Sequence, residues 1–194
     1  MLDDTRFGRV ASAVIDIIWS GILWLLCSLP LVTIGASSSA LYYAVSKSVR
    51  HERGNLTKAY FKGFKDNFKD ATLIWLVYLL ILIPSVLSKV LIIFYAVPFV
   101  LTVTWMFAYI SRFSERTIDY IKHVFYLCMK NIGKSILLAL ILLAVVVIGY
   151  LLPALIPLIP GITCLAMSYV TEPVFIEITS NMEGDNNEDK WYNE

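Results

Sequence analysis

The residues that could do chemistry are few and scattered. Asp16 is the acid inside the first apolar block of the chain, and an ionisable side chain at membrane depth marks an ion path or a buried polar contact by default. It lies under two turns from Arg9, so an interfacial position is the competing reading. Glu172 and Glu177 fall where the last apolar segment ends and read as interfacial, and Lys89 reads as the cap of an outer turn. His51 and His123 stand in polar segments with no second ligand at i+3 or i+4, so neither makes a metal motif, and both read as solvated or interfacial. Cys27, Cys128 and Cys164 are odd in number and set among apolar neighbours, which makes them small buried hydrophobes rather than disulfide partners or metal ligands. HExxH, GxSxG, P-loop and dinucleotide-binding patterns are all missing. An intramembrane enzyme needs clustered His, Asp, Glu or Cys at membrane depth, and the sequence supplies no such cluster. The expectation is a protein that is not an enzyme and takes no cofactor and no metal.

The elements that carry these residues are apolar. The chain of 194 residues is 58% hydrophobic with a mean hydropathy of +0.72, above the roughly 45–50% apolar content of soluble domains. Three charge-poor blocks, 10–46, 71–111 and 135–171, each hold about two crossings at roughly 17–25 residues apiece. They predict an all-α transmembrane bundle of six helices in three hairpins, at about 10–34, 36–50, 71–87, 90–112, 134–152 and 158–178. The outer turns fall at Ser85–Lys89 and at Pro153–Pro160. A five-crossing alternative has 10–34 span once, lays 36–50 at the cytoplasmic face and leaves the N-terminus outside. Residues 1–178 form one membrane domain, and 179–194 form an acidic tail that reads as disordered. The first apolar stretch is too long for the core of a cleavable signal and lacks a convincing exit site, so it is expected to stay in the mature protein.

Between the blocks the period changes. In 55–69, Leu56, Tyr60, Phe61, Phe64 and Phe68 share one helical face and Lys58, Lys62, Lys65 and Lys69 another. In 115–131, Ile118, Ile121, Phe125, Cys128 and Ile132 oppose Asp119, Lys122, Tyr126 and Lys130. Both read as amphipathic interfacial helices, with Asn55 or Thr57, and Ser114, as N-caps. Their lysines are the candidate contacts for anionic lipid or a cytosolic partner. Nucleic acid is not expected, because lipid or neighbouring helices would cover the aromatics. Seven basic residues in 47–69 and five in 112–134 put both loops in the cytoplasm. Within the opening block, Gly35 and the stripe Ala36, Ala40, Ala44 and Ser48 form a small-residue face suited to close helix packing. A substrate path past Ser37, Ser38 and Ser39 is the alternative. The segments 61–71 and 125–135 also align at an offset of 64, the pattern of a repeated interfacial-helix-plus-hairpin unit.

The stretch WLLCSLPLVTIGASSSALYYAVSKSVR followed by AYFKGFKDNFKDATLIWL resembles the YesL-like family of uncharacterised bacterial integral-membrane proteins. Pro30, Thr33, Gly35, the small-residue run and the spacing of Phe61, Phe64, Asn67 and Phe68 carry the resemblance. It covers the first 75 or so residues. It implies a multi-spanning protein of the cell membrane, of a kind often encoded near carbohydrate-uptake transporters, and offers no site residues to carry over. The expected function is an accessory or regulatory partner of a carbohydrate-uptake system. The alternative is a small transporter or channel acting as a homo-oligomer.

Overall fold

Apolar residues at helical spacing dictate a chain of helices. In the computed structural model, which describes residues 6–87 and 89–183, no strand occurs among the described residues. Helix α1, Arg6–Cys27, stops at Cys27 rather than near residue 34, because Pro30 cannot continue it. The Thr33 hydroxyl lies 2.6 Å from the Cys27 carbonyl and 2.8 Å from that of Pro30, supplying a donor to a helix end that has none of its own. A 3-10 turn, Leu31–Thr33, leads into α2, Ile34–Ala44, which runs on as a π-helical turn, Val45–Arg50. The opening run is therefore a bent pair, with its bend at 28–33.

Helix α3, Leu56–Leu87, is the main departure from expectation. The interfacial helix 55–69 and the span 71–87 are one continuous helix of 32 residues, about 48 Å at 1.5 Å per residue. No Gly or Pro falls between Gly63 and Pro84, so nothing in the backbone breaks it at the change of polarity. Asn55 is its N-cap, with Oδ1 accepting from the Lys58 amide at 3.2 Å. Helix α2 packs antiparallel against the charged half of α3. A Cβ on Gly35 would stand 2.4 Å from the Ala71 carbonyl oxygen, one on Gly63 would stand 3.2 Å from Tyr43, and the Trp75 indole donates to the Leu31 carbonyl at 2.8 Å. The bend of the first hairpin thus ends level with Trp75, well short of the far end of α3.

Helix α4, Lys89–Arg112, carries Pro98 inside it. Ser88 and the side chains around the Ser85–Lys89 turn, Lys89 included, lie outside the described residues. Helix α5, Thr117–Lys130, begins after Arg116, so Ser114 is not its cap. At Asn131 the backbone leaves the helical region (φ −114°, ψ 45°), which separates α5 from α6, Ile132–Leu151. The two aligned segments thus differ at their junctions: the first runs through and the second breaks. Helix α7, Ile159–Glu183, contains Pro173 and takes residues 179–183 into the helix. The rest of the acidic tail lies outside the described residues.

The core is aromatic, with Trp105, Tyr109 and Phe175 in edge-to-face pairs. The Trp105 indole donates to Ser135 Oγ at 2.9 Å and ties α6 to α4. Three helical segments among the described residues are long and apolar enough to cross a membrane: Val10–Cys27, Ile132–Leu151 and Ile159–Thr179. Helix α5 is apolar on two sides. Tyr120, Val124, Leu127 and Cys128 are buried, while Ile118, Ile121, Phe125 and Ile132 are exposed. The side with Tyr120 and Val124 packs against the bundle, and the side with Ile118, Ile121 and Phe125 is left open.

Candidate functional site

Helices α2, α4 and α7 meet around a buried ion pair. Arg112, at the end of α4, pairs with Glu172 of α7, and each side chain is 2% exposed. Tyr42 of α2 donates to the other carboxylate oxygen at 3.0 Å and lies 2.5 Å from the Thr171 hydroxyl. The Arg112 guanidinium also faces the Phe175 ring at 5.5 Å, a cation–π contact that weak hydration suits to arginine. At the rim, Arg50 donates to the Ser168 carbonyl and lies 4.9 Å over the Tyr169 ring. Burial, and after it the Arg50 charge, holds the neighbouring His51 imidazole below its ordinary range. The π-helical turn before Arg50 adds a residue to the turn that aims this side chain at α7, and such turns recur at functional sites.

A second polar cluster clamps the loop from α4 to α5. Glu115 accepts from the Tyr109 hydroxyl at 2.9 Å and faces His123 Nδ1 at 2.7 Å. Tyr120 donates to the Phe113 carbonyl at 2.8 Å and accepts from the Glu115 amide at 3.0 Å. His123 is therefore paired rather than simply solvated, and the cluster fixes where α5 leaves the bundle.

Beside the ion pair lies an apolar cavity of about 350 Å³, walled by α1, α2, α4, α6 and α7. Tyr42 belongs to both, its ring on the cavity and its hydroxyl on Glu172. Leu41, Val103, Phe107, Leu142 and Met167 supply much of the rest of the wall. Among the described residues no group of His, Cys, Asp and Glu is arranged to hold a metal ion, and the three cysteines are free.

The residues singled out from sequence fall elsewhere. Lys58, Lys62, Lys65 and Lys69 stand exposed along one face of α3, and Lys122 and Lys130 are exposed on α5. Lys122 pairs with Asp119 at 3.6 Å. Gly35, Ala36, Ala40 and Ala44 are buried. Asp16 is half-buried on α1, apart from the polar centre. Glu172, read from sequence only as interfacial, is 1% exposed and paired inside the bundle. Arg112 and Glu172 are 60 residues apart, and each sits at the end of an apolar block where an interfacial charge is the ordinary expectation. Tyr42 carried no signal beyond being a polar aromatic on a small-residue helix.

The fold and this centre define the class: an all-helical protein in which three described segments are able to cross a membrane, with a buried ion pair where α2, α4 and α7 meet. The model of the family described as "Protein of unknown function, DUF624" matches residues 17–88, from within α1 to the end of α3. That segment contains the stretch on which the sequence resemblance rests, and the family is uncharacterised. No curated protein and no solved structure matches the chain.

Proposed function

We propose that the chain is a non-enzymatic, multi-pass protein of the cell membrane that acts as an accessory or regulatory partner of a carbohydrate-uptake system, docking through the lysine face of α3. The observation behind it is a division of labour on that helix. Leu56, Ala59 and Tyr60 are buried against the bundle, while Lys58, Lys62, Lys65 and Lys69 stand in the open on the other side. A row of cations that the fold does not use suits an acidic partner surface. The carbohydrate part of the reading rests on the family resemblance alone.

The placement of α2 bears on the topology. It packs against the lysine-bearing half of α3, so a fully spanning α2 would draw Lys62 and Lys65 toward the acyl phase, at roughly 2.5–3.5 kcal/mol per charge at mid-bilayer. This supports the five-crossing layout, in which α1 crosses, α2 lies at the cytoplasmic face and α3, α4, α6 and α7 cross. Changing Lys58, Lys62 and Lys65 together to glutamate is expected to leave insertion intact while abolishing co-purification of transporter subunits and lowering sugar uptake. Normal uptake by a correctly inserted variant would sink the reading.

One observation favours a second reading, a small transporter or channel acting as a homo-oligomer. A cavity ends on a tyrosine tied to a buried ion pair, and buried ionisable groups in a membrane protein mark transport paths. Reconstituted protein should then carry a solute flux that Tyr42→Phe reduces, and vesicles without flux would dismiss it.

A further inference from the structure

We infer that the cavity between α1, α2, α4, α6 and α7 holds the alkyl chain of a membrane lipid. Its chemistry excludes a hydrated occupant. The polar side chains on its wall are spent within the protein: Trp24 Nε1 donates to Ser38 Oγ at 3.1 Å, Thr104 to the Leu101 carbonyl at 3.0 Å, Thr163 to the Ile159 carbonyl at 2.7 Å and Tyr42 to Glu172 at 3.0 Å. A sugar entering this space would leave most of its hydroxyls without partners, and each such group is costly in an apolar site. A volume of about 350 Å³ lies in the range of ligand pockets and far above the space one water needs.

The surroundings name the occupant. Val146 of α6 and Ile156 in the turn before α7 line the cavity yet are 62% and 43% exposed, so the space continues to the outer surface of the bundle there. Helix α6 is the most apolar of the membrane-capable segments, with a mean hydropathy of 2.7, and most of it is exposed. In a bilayer that surface faces acyl chains. A chain entering past Val146 exchanges one hydrocarbon environment for another and fills a space that would otherwise lack packing partners. This inference is independent of the docking surface on α3. It confines the second functional reading to lipid-like substrates.

The test is retained lipid. Full-length protein purified in mild detergent should carry bound phospholipid by native mass spectrometry. Val145→Phe, on the cavity wall, should reduce the retained fraction about tenfold, the worth of two methylenes no longer buried. Val147→Phe, exposed on the same helix and off the wall, should retain lipid as the natural protein does. Equal retention by both variants, equal loss in both, or displacement of the lipid by glucose or maltose would overturn the inference. A second measurement uses the natural side chains: lipid with brominated acyl chains should quench a saturable share of the fluorescence that Trp24→Phe removes. Quenching that is unchanged in Trp24→Phe would contradict the inference whatever the folding of the valine variants.

Discussion

Glu172→Ala is expected to destabilise the protein by about 3–5 kcal/mol, the usual cost of leaving one member of a buried ion pair alone. The measurement is the unfolding midpoint of purified protein in detergent. The carboxylate answers two donors, the Arg112 guanidinium and the Tyr42 hydroxyl. Tyr42 keeps its contact with Thr171 when the carboxylate goes, so the penalty falls on Arg112, which loses its buried counter-charge beside the Phe113 and Phe175 rings. Replacing the pair together, Arg112→Met with Glu172→Leu, should recover most of the loss, because removing both charges also removes their desolvation cost. If Glu172→Ala shifts the midpoint no further than Lys62→Ala does, the pair is not buried. If the double variant is as unstable as the single one, the penalty comes from lost packing rather than from the lost counter-charge.

Gly161→Ala should cost at least about 2 kcal/mol, within the range for overpacking a tight contact. Helix α1 meets α7 backbone to backbone. A Cβ on Gly161 would stand 2.5 Å from the Ile17 carbonyl oxygen and 2.7 Å from Ser20 Oγ, and one on Gly21 would stand 1.8 Å from the Pro157 carbonyl oxygen. Carbonyls cannot swing aside as side-chain ends can, so even one methyl must push the helices apart. Such small-residue crossings hold membrane helices together by close packing. Gly133→Ala is the control, since a Cβ there meets nothing within 4 Å, and it should be neutral or slightly stabilising because alanine favours a helix. Equal behaviour of the two variants would mean that α1 does not seat against α7 in this way.

Much of the helix layout was legible. Apolar block lengths and the prolines from Pro153 to Pro160 placed the hairpins, and Asn55 was one of two caps expected for α3, whereas the first helix ended earlier, at Cys27, than the expected residue 34. What escaped was whatever depends on contacts between distant segments. The change from lysine-rich to apolar sequence near Asp70 looked like a boundary, but helix propensity ignores polarity and the helix ran through. In α5 the period of the aliphatic residues marked one face, and the second face, with Tyr120 and Val124, that the bundle buries carried no separate signal. Asp16 drew attention as the acid inside an apolar block. The buried acid was Glu172, which looked ordinary until Arg112 and Tyr42 were brought against it from two other helices.

The unbroken length of α3 has a mechanical consequence. Its lysine-bearing half and its apolar half are one rod, held from Gly35 to Tyr43 by a helix packed against only the first part. A force on residues 58–69, such as a partner settling on the lysines, is passed along the rod to the packing of Trp75 and Tyr78 on Phe99 of α4. An event on the lysine face is therefore felt where α3 packs on α4.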